Sequence, residues 1–482
     1  MAFTQTKNQH LVWRAGFGPA AAQHSQLVKA SPKQLYAALQ KASAAAPTPF
    51  DVADDYLKGL MLEREDAMGR KPLDTEQRRM VQQKQRQGLR NLNLAWMGAM
   101  VNSEAQLREK MAFFWHGHFA CRNTNIFYQQ QLLQILRSGA LGSFRQLLHG
   151  VSKSAAMLQF LNAAQNRKGK PNENFAREVM ELFTMGRGHY TEKDIKEAAR
   201  AFTGWSANAQ GEFQFRKGVH DGGTKTIFGK SANYSGEEVL DLLLDQKTTA
   251  QYITQKIYRA FVSETGDAEK VGWLSERFYK SDYNISTLLN DMFTADWFYD
   301  EKNIGTKIKS PVELLVGLQR ALPMKLEMED SLLVMQRLLG QILFYPPNVA
   351  GWPGGKAWID STTLVTRMRL PQLLADTDSL QLQPKLDDDQ MMGRKDEATM
   401  GPKARPKGGQ LIGAAIDWNA YVKGFENISR PELLSAISHT LLQKATPQNN
   451  AIVSTYIDNS SRENFIKSAT LHFMSLPEYQ VC

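Results

Sequence analysis

Apolar residues recur along most of this chain at helical spacing. In EKDIKEAARAFTGW, Ile195, Ala198, Ala199 and Phe202 fall at i, i+3, i+4 and i+7. Thr191 with Asp194 supplies a capping box before the run, and Gly204 stops it. Asp74 with Gln77 opens another helix, and Ser103 with Gln106 opens one through LREKMAFFW. Asn172 caps NENFAREVMELF, and Ser235 with Glu238 begins the long pattern EEVLDLLLDQKTTAQYITQKIYRAFV. Strand patterns are few. EFQFR (212–216) alternates, and KTIFG (225–229) is expected to pair with it as a small hairpin. The stretch YPPNVAGWPGGKAW (345–358) is too dense in Pro and Gly to continue a helix and reads as an ordered loop. The pattern predicts a mainly α fold: a multi-helix globular array with one small β-hairpin and one Pro/Gly/Trp-rich loop.

The periodicity lapses within residues 378–410, where charge is mixed and Pro and Gly are frequent, so this segment reads as a flexible linker or insertion. It divides a main helical domain, 1–377, from a C-terminal helical segment, 411–482, expected to pack on it. With 482 residues, the chain has ample material for a large core.

Charge changes this picture little. The formal net charge is +9, which makes an anionic partner conceivable. Arg78, Arg79, Lys84, Arg86 and Arg90 cluster without an acidic residue among them, but no recognised nucleic-acid module accompanies them. A solvated helix face is the preferred reading, and a nucleic-acid partner is not expected. Two cysteines, Cys121 and Cys482, rule out a disulfide framework or a Cys-rich metal site. The first residues lack the apolar stretch of a secretory signal, and no run is long enough for a membrane helix. Cytoplasmic residence is therefore the simplest expectation, with export alongside a signal-bearing partner as the alternative.

Candidate chemistry gathers in four segments. On the helix after Asn172, the stripe Phe175, Val179, Leu182 and Phe183 leaves Asn174, Glu178 and Glu181 together on one flank, with Glu178 beside the buried face. Glu173, Arg177 and Glu181 are also spaced for an ion-pair ladder. His116 and His118 flank Gly117 within FWHGHFA. In an intact helix, residues two apart point roughly 200° away from each other, so the two imidazoles share a metal only if Gly117 breaks the helix. The turn His220-Asp221-Gly222-Gly223-Thr224-Lys225 offers an imidazole, a carboxylate and an amine, although its glycines alone explain a tight turn. Trp352 and Trp358 in the Pro/Gly loop, with Arg367 beyond, suit a flat substrate or a plug onto the core. Combined, the segments suggest a divalent metal on His116, His118, His220 and Asp221. Glu178, Glu181, Arg177 and Lys225 would then act in catalysis, with Trp352, Trp358, Asn174 and Arg367 on the substrate.

The pieces HLVWRAGFGP, FWHGHF, PNENFAREVMELFTMGRGHYTEKDIKEAARAFTGW, HDGGTKTIFG, KSPVELL and PPNVAGWPGGKAWIDSTTLVTRMRL occur in that order. As a set they resemble the bacterial "domain of unknown function 1800" family, from about His10 to the C-terminus. The resemblance implies no secure activity. It places polar signature residues at His116, His118, Asn172, Glu173, Asn174, Arg177, Glu178, Glu181, His220, Asp221 and Lys225. It also implies an alkaline-phosphatase/sulfatase-like partner protein. The expectation is a hydrolase or oxidoreductase that is metal-dependent; the alternative is a non-catalytic scaffold for that partner.

Overall fold

The computed structural model describes residues 2–66, 73–208, 210–375 and 412–482. The stretch 378–410, expected to be a linker or insertion, lies outside them. Within the described residues helix follows helix, interrupted by three two-stranded sheets, so the fold is mainly α.

The helix Gln106–His118 lies at the centre. Ten of its thirteen residues are buried, more than one apolar face accounts for. Charges placed there must be paired. Glu109 accepts from Arg137 Nη2 at 2.8 Å and from Trp96 Nε1 at 3.1 Å. Lys110 Nζ donates to Glu313 Oε1 at 2.6 Å. The helix packs between Thr75–Asn102 and Ile126–Ser138. Its N-terminus departs from the expected capping box. Ala105 occupies the cap position with no side-chain bond, while Ser103 closes the preceding helix. The Gln106 amide instead donates to the carbonyls of Met100 (2.9 Å) and Ser103 (2.7 Å), tying the corner between the two helices.

The Asp74–Gln77 box does form, and it starts a helix of 28 residues. The first half of that helix is largely exposed and carries Arg78 and Arg79, with Lys84 paired to Asp54 at 2.8 Å. The second half buries Leu89, Leu92, Trp96 and Met100. The long pattern after Ser235 divides into Gly236–Leu244 and Lys247–Phe261. The carbonyls that would continue the first helix are taken elsewhere: Thr249 Oγ1 donates to Leu243 (2.6 Å) and Tyr283 OH to Leu244 (2.6 Å).

The expected hairpin is replaced by two. β1 (Trp205–Ala207) pairs antiparallel with β2 (Phe213–Phe215), and β3 (Lys225–Ile227) with β4 (Lys230–Ala232). Local turns decide this. Asn208 Oδ1 accepts from the backbone of Gln210 and Glu212, closing the first hairpin. Phe228 and Gly229, both at positive φ (50° and 74°), form the two-residue turn of the second. A third pair has no sequence signal: β5 (Met324–Leu326) pairs with β6 (Ala414–Ile416). Residues 307–309 also run antiparallel to the last residues of the chain, with Ile308 bridged to Val481. One hydrophobic cluster extends from Leu11 to Tyr479. Among the described residues, no helix is long and apolar enough to cross a membrane.

Candidate functional site

Lys110, Phe113, Phe114, Gly117 and His118 follow the i, i+3, i+4, i+7, i+8 spacing of one helix face, and that face lines a cavity of about 670 Å³. The helix Lys247–Phe261 contributes Lys256, Arg259 and Phe261, and Glu264 follows it. Lys307 comes from the extended stretch before the helix Pro311–Ala321, Ser310 from its N-cap and Glu313 from its first turn. Trp352 through Trp358 form the remaining wall. A cavity of this size, part aromatic and part charged, has the character of a small-molecule site.

Its electrostatics follow from Glu313. Ser310 and Glu313 form the capping box of their helix, and Pro311 occupies the first helical position. The carboxylate caps the Ser310 N–H at 2.8 Å and also receives Lys110 (2.6 Å) and Lys307 (2.8 Å). Burial opposes its charge, but the two ammonium groups outweigh burial and hold the carboxyl well below its usual range. Five cationic side chains, Lys110, Lys256, Arg259, Lys307 and Lys356, line the cavity against two carboxylates, Glu264 and Glu313. That imbalance creates a positive potential in a concave, partly desolvated space.

His118 is buried in the wall, and its ring is held by a carbonyl at the end of a neighbouring helix. The expected continuous helix through Asn172–Phe183 is an α-helix only over Glu173–Glu178; Val179–Thr184 is π-helical. The carbonyls of its last residues have no partner within the helix and are taken by side chains. Phe183 O meets His118 Nε2 at 3.2 Å, and Leu182 O accepts from Tyr252 OH at 3.3 Å. A carbonyl only accepts, so Nε2 carries the proton and Nδ1 presents its lone pair. No partner meets Nδ1 among the described residues. Burial, then the charge of Lys256, push the imidazole well below its ordinary pKa and keep it neutral.

His116 points elsewhere, because the helix runs intact through Gly117. Its Nε2 accepts the N–H of Phe344 at 3.1 Å, and its ring packs against Trp96, Phe344 and Trp352. Phe344 has φ +69°, a costly conformation for a bulky residue, and this hydrogen bond helps to hold it. His116 thus anchors the approach to the Trp loop. Gly117 and Gly351 let that loop close on the helix. Gly351 has φ +83°, and a Cβ there would lie 2.5 Å from Gly117 O.

The other expected residues fall into separate neighbourhoods. Asp221 is clamped by Arg200 at 2.8 Å, which holds its carboxyl at about 2. His220 Nδ1 lies 2.8 Å from Thr203 O, and Lys225 donates to Asn233 at 2.9 Å. These bonds fix the hairpin of β3 and β4. The structure does not bring His116, His118, His220 and Asp221 together, and no three or more His, Cys, Asp or Glu side chains group as metal ligands among the described residues. Arg177 pairs with Glu173 (3.2 Å), as the ladder reading expected, but its second partner is Glu192 (2.8 Å) rather than Glu181. Glu181 accepts from Tyr190 OH (2.7 Å) and pairs with Arg187. Asn174 donates to Leu161 O. Neither Glu178 nor Glu181 lines the cavity, and Lys256, which does, lies over the Tyr252 ring at 5.3 Å. Trp352 and Trp358 line the cavity, whereas Arg367 is fully buried and donates to Lys309 O at 2.9 Å. Burial lowers the Arg367 guanidinium to about 10.

Sequence reading missed Lys110, Lys256, Arg259, Glu264, Lys307 and Glu313. Two signals were present for some of them. S-P-x-E in KSPVELL is a capping box preceded by lysines, and Lys110 continues the His118 face toward the N-terminus. Comparison with known families gives one assignment. A family model described as "Protein of unknown function (DUF1800)" matches residues 10–481, and the chain belongs to that family. Neither the curated proteins nor the solved structures include a significant match.

Proposed function

With membership of the DUF1800 family as the premise, we propose that this protein is an acid–base enzyme. Its cavity binds an anionic small molecule that also has a flat or apolar part, and His118 exchanges a proton with that molecule. The supporting observation is the unpartnered Nδ1 of a buried imidazole in a cavity where cations outnumber carboxylates. Arg259, an exposed lining residue, meets the negative charge, beside Lys307, which also pairs with Glu313. Phe113, Phe114 and the Trp352–Trp358 wall cover the apolar part. An anion beside His118 offsets the burial and the Lys256 charge that keep the ring neutral, so its basicity rises on binding. His116 supports this chemistry indirectly, by fixing the loop that closes the cavity.

Titration calorimetry with sulfate, phosphate, citrate, glucuronate and benzoate tests this reading. At least one anion is expected to bind, with affinity reduced about tenfold in Arg259→Ala, the loss of one charge-assisted contact. Absence of saturable binding for all five, or equal binding by Arg259→Ala and Lys307→Met, overturns it.

A further inference from the structure

We infer that Lys256 is a nucleophile, forming an imine with a carbonyl compound that carries an anionic group, a 2-oxo acid being the simplest. This rests on the anion-binding reading of the same cavity and names its substrate class.

The four lysines lining the cavity are not equivalent. Lys110 and Lys307 are both committed to Glu313, at 2.6 and 2.8 Å. Lys356 is exposed at the mouth. Lys256 is half-buried on the helix Lys247–Phe261, and among the described residues no carboxylate pairs with it. Its ammonium lies over the Tyr252 ring, 5.3 Å from the centroid, and near enough to His118 to oppose protonation of that ring. Arg259, one turn further along the helix, lines the same cavity and suits the carboxylate of the incoming compound. Phe114 and Phe261 add an apolar wall. Desolvation brings the Lys256 amine down to about 8, so an appreciable neutral fraction exists at physiological pH.

The atoms balance with groups already present. Loss of one ammonium proton to His118 Nδ1 frees the Lys256 lone pair, which adds to the carbonyl carbon while the C=O π pair moves to oxygen. His118 carries that proton, and then a second one from nitrogen, to the oxygen, which leaves as water. The remaining nitrogen lone pair closes the C=N bond. The product is a protonated imine and one water.

Trapping with sodium cyanoborohydride tests the proposal. The full-length protein is incubated separately with glyoxylate, pyruvate, 2-oxoglutarate and phenylpyruvate, and the adduct is mapped by peptide mass spectrometry. At least one compound is expected to give a dominant adduct on Lys256. That adduct disappears in Lys256→Arg, persists in the surface control Lys230→Arg, and forms at least about tenfold more slowly in His118→Asn. No adduct from any of the four, or labelling spread over exposed lysines and unaffected by Lys256→Arg, overturns it. Calorimetry with sulfate, phosphate, citrate, glucuronate and benzoate on the same preparations separates the two readings. Anion binding without trapping removes the imine and leaves the anion site standing, whereas loss of both removes the anion site as well.

Discussion

His118 Nε2 donates to the carbonyl of Phe183 across 3.2 Å, in the last turn of the π-helical segment Val179–Thr184. This contact joins the two segments richest in polar residues, FWHGHFA and NENFAREVMELF, through backbone rather than through a glutamate. It also sets the imidazole tautomer, leaving Nδ1 as the unprotonated, unpartnered nitrogen of a buried ring whose residue lines the cavity.

Proton uptake on anion binding follows. In His118→Gln, the side-chain amide can still donate toward Phe183 O from the ε position, but no titrating nitrogen remains. Calorimetry in two buffers of different ionisation enthalpy is expected to show proton uptake in the wild type and none in this variant. Equal uptake in both removes His118 from the proton exchange.

The glutamate face gives the opposite expectation. Burial, then Glu181, raise the Glu178 carboxyl, while Tyr190 and Arg187 hold Glu181 down. Neither residue lines the cavity. Glu178→Gln is therefore expected to leave anion affinity within about twofold of wild type, a change of roughly 0.4 kcal/mol. A tenfold loss in the same titration would move the centre back to the glutamates.

Glu313 bears on stability. Glu313→Gln leaves Lys110 and Lys307 beside one another without their counter-charge, in a site where Lys110 is buried. Breaking a buried pair from one side costs about 3–5 kcal/mol. Urea denaturation should show a loss of that order, partly recovered in the double variant Glu313→Gln/Lys110→Met. A loss under about 1 kcal/mol would show that solvent already screens the cluster.

Acid sensitivity is expected from His116. Burial lowers its pKa from 6.5 to about 3. Between those values the unfolded chain binds the extra proton and the folded chain does not. The stability contributed by the neutral ring is thus complete above about pH 6.5 and is lost as pH falls toward 3. The slope is about 1.4 kcal/mol per pH unit. His116→Gln keeps an acceptor for the Phe344 N–H and cannot titrate. Denaturation at pH 7, 5.5 and 4.5 is expected to show its pH slope reduced by about one proton; an unchanged slope would reject the assignment.

Loop closure depends on Gly351. Its φ of +83° and the 2.5 Å approach of an added Cβ to Gly117 O leave no room for a side chain. Gly351→Ala is expected to displace the Trp352 loop, weakening anion binding and shifting tryptophan fluorescence while far-UV circular dichroism stays unchanged. Wild-type affinity in this variant would show that the loop does not close the site.

What the sequence determined by itself was local. The capping boxes at Asp74, Thr191 and Ser235 formed as read, because a side chain and an N–H three residues away meet in any helix start. The opposed directions of His116 and His118 in an intact helix also followed from 100° per residue. The mainly α class and the ordered Trp loop rest on the same short-range regularities. Tertiary packing decided the rest. Glu313 meets Lys110 across 203 residues, and Phe344 meets His116 across 228. No periodicity encodes which distant partner will satisfy a buried charge or an unpaired N–H. The end of the π-helical turn belongs with these: its carbonyls are satisfied by His118 and Tyr252, which arrive from other helices. The two segments richest in polar residues do meet, but packing placed the His118 imidazole among lysines and tryptophans and left Glu178 outside the cavity.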